Sequence, residues 1–498
     1  MQLNLSHISY TYPGASSPAL DDISAVFPQS WTGIIGDNGC GKTTLALIAA
    51  RLIAPDSGSV APSLFAVYCS QDANVAPSNL YELAGDWSRE GRRFRNLLDI
   101  DDEWFWRYDT LSGGQQRRLQ IACALLLSPD VLVMDEPTND LDSETRIIVK
   151  EALASFKGVG LLISHDRDLL DSLALQSLVF DGKRATMRPG GYSKTADQVA
   201  NEHVSALRKR EKAKREVRRI ETEAQRRREE ASRQKTKRSR RGLDAKDSDA
   251  RERIGRAIVS GKDGVAGKLS SSMNRRYTKT RDQLTNNHID KRYEHRIGDW
   301  GAVAQASTVS HVKPGVLQAG EFTICIPELW IGPTDHVTLS GRNGTGKSLV
   351  VRGVLDSTSP NIKVAYIPQG IGKNEREHAL QVLRSCDPER RGRILSTVAR
   401  LNSDPERLLD GDEVSPGELR KLLLAEQLID NPNFIVLDEP TNHLDIGSIK
   451  ALQDLLLQFP GAVLLVSHDA ALLDAVSERQ WHTTGFGNLF QLEAGVGL

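Results

Sequence analysis

GDNGCGKTT, residues Gly36–Thr44, returns as GRNGTGKSL at Gly341–Leu349, 305 positions further on. Each copy fits Gly-x4-Gly-Lys-Ser/Thr, and the first follows the short apolar run Thr32–Ile35. The spacing has a physical reading. Glycines let backbone N–H groups close around phosphate oxygens, the lysine (Lys42 or Lys347) reaches the β and γ oxygens, and the hydroxyl of Thr43 or Ser348 binds Mg²⁺. Loops of this kind sit at the carboxyl ends of parallel strands, where a helix N-terminus faces outward. The pattern therefore predicts an α/β fold, with Thr43–Leu52 as the helix behind the first loop. The candidate phosphate contacts are Gly36, Asp37, Asn38, Gly39, Cys40, Gly41, Lys42, Thr43 and Thr44, and then Gly341, Arg342, Asn343, Gly344, Thr345, Gly346, Lys347 and Ser348. Cys40 holds a variable loop position and is given no redox role.

Three more motifs repeat in the same order. VLVMDEPTNDLD at Val131–Asp142 pairs with FIVLDEPTNHLD at Phe434–Asp445, LSGGQ at Leu111–Gln115 with VSPGE at Val414–Glu418, and ISHD at Ile163–Asp166 with VSHD at Val466–Asp469, each 303 positions apart. Four motifs in register mean a duplicated domain, residues 1–190 and 312–498. Apolar runs such as Val131–Met134 and Gly160–Ile163 end in polar loops, as buried strands of a parallel sheet do.

Asp135-Glu136 and Asp438-Glu439 close such runs with adjacent carboxylates suited to different tasks. The aspartate can hold Mg²⁺ through its water shell, and the glutamate can orient or deprotonate an attacking water. His165 and His468, 29 residues downstream at the next strand ends, suit a γ-phosphate contact. An isolated Asp-Glu pair would be a solvated turn, and an isolated His a structural one; the repeat raises both.

The 498 residues carry 64 Lys+Arg against 65 Asp+Glu, with 39% hydrophobic and 26% charged residues, which suits a soluble globular protein and excludes disorder throughout. No run approaches 18 apolar residues, the N-terminus lacks a secretory pattern, and the five cysteines show no CxxC spacing, so reduced thiols and a cytoplasmic location are expected. The charge is unevenly placed. Residues 191–300 hold 31 basic and 17 acidic residues, a balance of +14, which leaves −15 elsewhere. Ala196, Val199, Ala206, Ala213, Val217, Ile220, Ala224 and Ala231 follow steps of three, four and seven, the seam of a charged helix. Glycines 242, 255, 261, 264 and 267 then break the pattern, and Tyr277–Ile297 reads as a returning helix with Tyr277, Leu284 and Tyr293 inward. Residues 191–311 are thus expected to form a helical hairpin linker with a basic tip. At Arg233–Arg241 six basic residues fall without an acidic neighbour. Such a cluster neutralises phosphates without reading sequence, and arginine planes stack on exposed RNA bases.

The ordered set of phosphate loop (Walker A), LSGGQ, DEPTN-x-LD and SHD resembles the ATP-binding cassette ATPases. Two cassettes in one chain with a charged linker resemble the ABC-F subfamily in particular. That resemblance implies two tandem nucleotide-binding domains joined by a long α-helical hairpin, with each ATP held between one cassette's Walker motifs and the other's signature. Site one would join Lys42, Thr43, Asp135, Glu136 and His165 to Ser415 and Gly417. Site two would join Lys347, Ser348, Asp438, Glu439 and His468 to Ser112, Gly113 and Gly114. The family's Q-loop glutamine matches Gln71 and Gln369, near the metal, and Tyr12 matches its adenine-stacking aromatic. By the same resemblance the protein is an ATPase that binds the ribosome, through large-subunit rRNA and tRNA at the exit region, and acts in translation or displaces antibiotics. A long linker without the family's arm insertion (29 positions from Lys42 to Gln71, 22 from Lys347 to Gln369) leans toward the resistance branch. The competing readings are the ATPase of an exporter docked on a separate membrane protein, and a chromosome ATPase with longer coiled coils. Departures from the pattern are Asp140 where the second copy has His443, Pro416 inside the second signature, and no adenine-stacking aromatic near Phe322 or Trp330. Trp104, Phe105, Trp106 and Tyr108 before LSGGQ read as core of the helical subdomain.

Overall fold

The structure is a computed structural model that describes residues 1–237, 277–278, 300–319, 322–405, 408, 414–486 and 489–496. The chain packs as two compact units, one of Met1–Thr195 with Tyr293–Leu498 and the other of Ala196–Arg292. The fold is α/β, with two nucleotide-binding cassettes in the first unit.

Each cassette is built on five parallel strands in one order. In the first the order is Ala66–Cys69, Val131–Asp135, Val159–Ile163, Trp31–Ile35 and Ala174–Asp181, with Arg184–Pro189 antiparallel at the edge. In the second it is Val364–Ile367, Phe434–Asp438, Ala462–Val466, His336–Gly341 and Arg479–Phe486. Strands Val131–Asp135, Val159–Ile163, Phe434–Asp438 and Ala462–Val466 are buried at every position. Helices cover both faces of such a sheet, so its strands carry unbroken Val, Ile and Leu rather than alternation.

The N-terminal strands of the two cassettes differ. Gln2–Tyr10 and Leu20–Pro28 form a separate three-stranded sheet with Ser57–Ala61. In the second cassette the equivalent chain divides: Ser310–Val312 pairs with Leu329–Ile331, while the hairpin Gly315–Ala319/Phe322–Ile326 joins the main sheet beside Leu489–Val496. Trp330 is stacked on His311 at 3.7 Å. Before the first signature, Trp104, Phe105 and Tyr108 are buried as expected, whereas Trp106 is 74% exposed against Tyr81.

Helix Tyr192–Lys237, which belongs to the second unit from Ala196 onward, runs 46 residues, about 70 Å at 1.5 Å per residue. It extends the expected seam helix at both ends, and Val217 and Ile220 are buried on it. Tyr277, in a helical stretch with Thr278, donates its hydroxyl to Glu221 at 2.8 Å. Arg233, Lys235 and Lys237 lie on the helix. Arg238, Arg240, Arg241, the expected glycine-rich tip, Leu284 and Tyr293 lie outside the described residues. Among the described residues no helix is long and apolar enough to cross a membrane.

Candidate functional site

Both phosphate loops leave a fully or largely buried strand and enter a helix through a left-handed glycine. Gly41 (φ 101°) caps helix Lys42–Ala49, and Gly346 (φ 88°) caps Lys347–Asp356, with Gly39 and Gly344 also at positive φ. That backbone turns consecutive N–H groups toward one point, an anion cradle at a helix N-terminus. Lys42 Nζ lies across its loop, donating to the carbonyls of Gly36 (2.7 Å) and Asp37 (3.0 Å). Lys347 Nζ does the same to Gly341 (2.8 Å) and Arg342 (3.2 Å), and also meets Asn343 Oδ1 and His468 Nε2. Burial holds the Cys40 thiol above its ordinary pKa, which keeps it protonated and inert. Thr345, its counterpart, bonds Thr483.

The following hydroxyl meets the aspartate in both cassettes: Thr43 Oγ1 donates to Asp135 Oδ2 at 2.9 Å, and Ser348 Oγ to Asp438 Oδ2 at 3.0 Å. A hydroxyl and a carboxylate beside a phosphate cradle form the oxygen set that Mg²⁺ takes with substrate phosphates, and both sets fit that ion. Tyr12, 42% exposed, reaches Thr44 Oγ1 at 3.0 Å and packs edge-on against Tyr10, which places an aromatic beside the first loop.

The glutamates are the strained members. Glu136 and Glu439 have φ of 49° and 50°, left-handed values unusual for glutamate, and both are buried. Burial pushes Glu136 up to about 8 and Glu439 up to about 7, against the pull of Lys42 and Lys347. Glu136 Oε1 and both Glu439 carboxylate oxygens lack a hydrogen-bond partner. His165 donates its backbone N–H to Glu136 Oε2 (3.2 Å), and its ring Nε2 stands 3.3 Å from Oε1. His468 Nε2 stands 3.3 Å from Glu439 Oε1. Burial, then the neighbouring lysine, holds both histidines well below their ordinary pKa, so each ring is neutral. Buried polar atoms without partners normally await a ligand or water.

The two cassettes interlock. Asn38 Nδ2 donates to the carbonyl of His443 at 3.1 Å, and Asn343 Nδ2 donates to the carbonyl of Asp140 at 3.0 Å. Each phosphate loop thus touches the other cassette's loop after the DEPTN motif, where Asp140 (φ 58°) and His443 (φ 64°) are again left-handed. Asn442 Nδ2 donates to Asp140 Oδ1 at 2.7 Å, and Asn343 N donates to Asp142 Oδ2 at 3.1 Å.

The signatures open helices Gly113–Leu126 and Pro416–Leu428, capped by Ser112 with Gln115 and by Ser415 with Glu418. Pro416 occupies the first helical position, where the missing N–H has no intrahelical partner. Gly417 lies under the His443 carbonyl that Asn38 binds; an added Cβ there would stand 2.4 Å from that oxygen. The loop Asn38 belongs to and the second signature therefore share one atom as neighbour. Gly114 packs by Leu141 and Thr145.

The Q-loop glutamines are placed differently from the metal set. Gln71 Nε2 meets His443 Nδ1 at 3.5 Å rather than Asp135, and the Gln369 side chain is exposed without a bond to Asp438. Several residues were missed in the sequence. Arg117 and Arg420, buried on the signature helices, donate to the backbone of Gln71 and Gln369 respectively. Asn402 (φ 60°) donates to Asp37 Oδ1 across the interface at 3.2 Å. Tyr68 donates to Asp135. Repetition was the signal for two of these: Arg117/Arg420 and Tyr68/Tyr366 recur at equal distances from the motifs, whereas Asn402 has Asp99 at the corresponding position.

The ABC transporter family profile matches residues 20–139 and 328–442. The chain is 29% identical over 389 residues to the putative ATP-binding protein YdiF of Bacillus subtilis, covering 74% of this chain and 54% of that protein, so it spans about half of that relative's length. It is 27% identical to the tylosin resistance ATP-binding protein TlrC of Streptomyces fradiae, over 94% of both chains. It is 26% identical to the energy-dependent translational throttle protein EttA of Mycobacterium tuberculosis, over 91% of this chain and 87% of that one. Among solved structures, one described as RNase-L Inhibitor superposes with a TM-score of 0.63 at 18% identity, over 99% of this chain and 91% of that chain, a likeness of fold. Two cassettes with complete, paired motif sets and relatives of this kind make the chain similar to the ABC-F group of ATP-binding cassette ATPases.

Proposed function

We propose that the chain clamps two MgATP molecules between its cassettes and uses their binding and hydrolysis to act on the ribosome. The observation that supports the clamp is the reciprocal pair Asn38–His443 and Asn343–Asp140, which sets each phosphate cradle against the opposite cassette. Site one is Lys42, Thr43, Asp135, Glu136 and His165 with Ser415 and Gly417; site two is Lys347, Ser348, Asp438, Glu439 and His468 with Ser112, Gly113 and Gly114. Mg²⁺, when bound with ATP, would be held by Thr43 and Asp135 or by Ser348 and Asp438, with Gln71 and Gln369 swinging in from their present positions to complete the set, and would neutralise charge on the β and γ phosphates. Lys42 and Lys347 would leave their loop carbonyls for phosphate oxygens. Glu136 and Glu439 accept a proton from the attacking water, a role suited to carboxylates that each keep an oxygen without a hydrogen-bond donor, Oε1 of Glu136 and both oxygens of Glu439. The neutral His165 and His468 donate to the γ-phosphate. Tyr12 stacks on adenine at site one.

The ribosomal partner rests on the +14 balance of residues 191–300 and on relatives named for translational throttling and for tylosin resistance. Arg233–Arg241 would supply phosphate contacts to large-subunit rRNA or to tRNA. A Glu136→Gln/Glu439→Gln variant should retain ATP and co-sediment with 70S ribosomes in ATP, with binding that falls steeply as salt rises. Enrichment of that variant in membranes, with none on ribosomes, would overturn the reading and favour an exporter ATPase.

A further inference from the structure

The two aspartates assigned above to the metal are not held alike. Asp135 Oδ2 accepts two hydroxyls, Thr43 Oγ1 and Tyr68 Oη, each at 2.9 Å, and no side-chain donor reaches Oδ1. Asp438 Oδ2 accepts Ser348 Oγ at 3.0 Å and no tyrosine. The difference is not one of register. Tyr68 pairs with Val133 and Tyr366 with Val436, so each tyrosine lies beside the strand that ends in its aspartate. Each also stands three residues before the Q-loop glutamine. Yet Tyr366, near enough to feel the charges of both Asp438 and Arg352, has no hydrogen bond joining its hydroxyl to Asp438, whereas Leu47 holds the position corresponding to Arg352 in the first cassette.

We propose that Tyr68 is a positioning residue for the divalent cation of site one: its hydroxyl fixes the orientation of the Asp135 carboxylate, so site one is the tighter of two unequal metal sites. The physical reason is preorganisation. A buried carboxylate with one donor can rotate about its Cβ–Cγ bond, whereas two donors converging on one oxygen lock the plane and leave the other oxygen for a metal-bound water. Outer-shell donors of this kind change metal affinity by about 10–100-fold. Tyr68 spans from the strand before the Q-loop to the strand of the catalytic pair, so it also ties two elements that frame the same nucleotide. The proposal rests on Thr43 and Asp135 being the metal set.

The test uses Mn²⁺ as the probe and the full chain saturated with ATPγS, with bound Mn²⁺ measured by electron paramagnetic resonance. A Lys347→Ala background reports site one, and a Lys42→Ala background reports site two. Tyr68→Phe removes one oxygen and keeps the ring, so packing is preserved; nucleotide affinity in EDTA should be unchanged. Mn²⁺ affinity at site one should fall roughly tenfold, while Tyr366→Phe leaves site two unaltered, and wild-type site one binds Mn²⁺ more tightly than site two. Equal affinity in Tyr68→Phe and wild type would overturn the proposal, as would an equal loss in Tyr366→Phe. Nucleotide bound with no Mn²⁺ in the Lys347→Ala background would instead remove the assignment of Thr43 and Asp135 on which it stands.

Discussion

Glu136 and Glu439 are held in a left-handed backbone and away from water, a combination with consequences before any nucleotide arrives. Their ordinary carboxyl value of 4.5 is raised to about 8 and about 7 by burial. A group whose pKa is raised on folding stabilises the native state fully below its unfolded value, and that contribution is lost as pH rises through the folded value. The nucleotide-free chain should therefore melt at progressively lower temperature between pH 5 and pH 8, with a slope of up to about 1.4 kcal/mol per pH unit for each glutamate. Glutamine at both positions carries no charge to bury, so the double variant should show a flatter profile and exceed the wild type at pH 8. Melting curves across that range check both statements; parallel profiles would remove the glutamates as the cause. In the sequence, position after an apolar run singled out these carboxylates, but their isolation from donors depends on the neighbouring strand and is visible only in three dimensions.

The loops and helices around them show how alike motifs meet unlike surroundings. Gly41 and Gly346 occupy the same position and both need φ near +90°. An added Cβ at Gly41 would stand 2.8 Å from the Ala19 carbonyl, while at Gly346 its nearest neighbour is Ile324 at 3.5 Å. Gly346→Ala should cost about 1–2 kcal/mol, the strain of left-handed backbone alone. Gly41→Ala adds a collision with main chain and should cost roughly 1–3 kcal/mol more, with loss of nucleotide at site one. Thermal melts and binding of a fluorescent ATP analogue to each variant test the contrast. The motif spacing marked both glycines equally. What separates them is the hairpin beside the loop, which stays in its own sheet in the first cassette and joins the main sheet in the second.

Across the molecule the decisive contacts run between the cassettes. Asn38 and Asn343 each give one amide to a carbonyl of the opposite half. One such bond contributes about 1 kcal/mol, so Asn38→Ala or Asn343→Ala should raise the ATP needed for half-maximal closure roughly fivefold, and the double variant should combine both effects. A fluorophore pair, one on each cassette, would follow closure directly; an unchanged midpoint in both single variants would exclude these bonds as contributors. Other interface contacts differ between the sites: Arg342 pairs with Glu144 at 2.8 Å, while Asp37 faces Asn402. Both ion-pair partners are more than half exposed, so this contact adds little by itself.

The sequence alone determined the duplicated α/β cassette, because phosphate chemistry demands glycines, a lysine, a hydroxyl and carboxylates at set spacing, and because buried parallel strands demand unbroken apolar runs. It also located the charged helix that runs to Lys237. Tertiary structure alone decided which residues meet across the halves and how each carboxylate is held. Asn402 approaches Asp37 over 365 positions, and Tyr68 reaches Asp135 over 67 where Tyr366 does not reach Asp438. Local pattern is written by backbone geometry that repeats with every copy of a motif. Hydrogen bonds between distant segments depend on the packing of everything around them, and there the two copies have diverged.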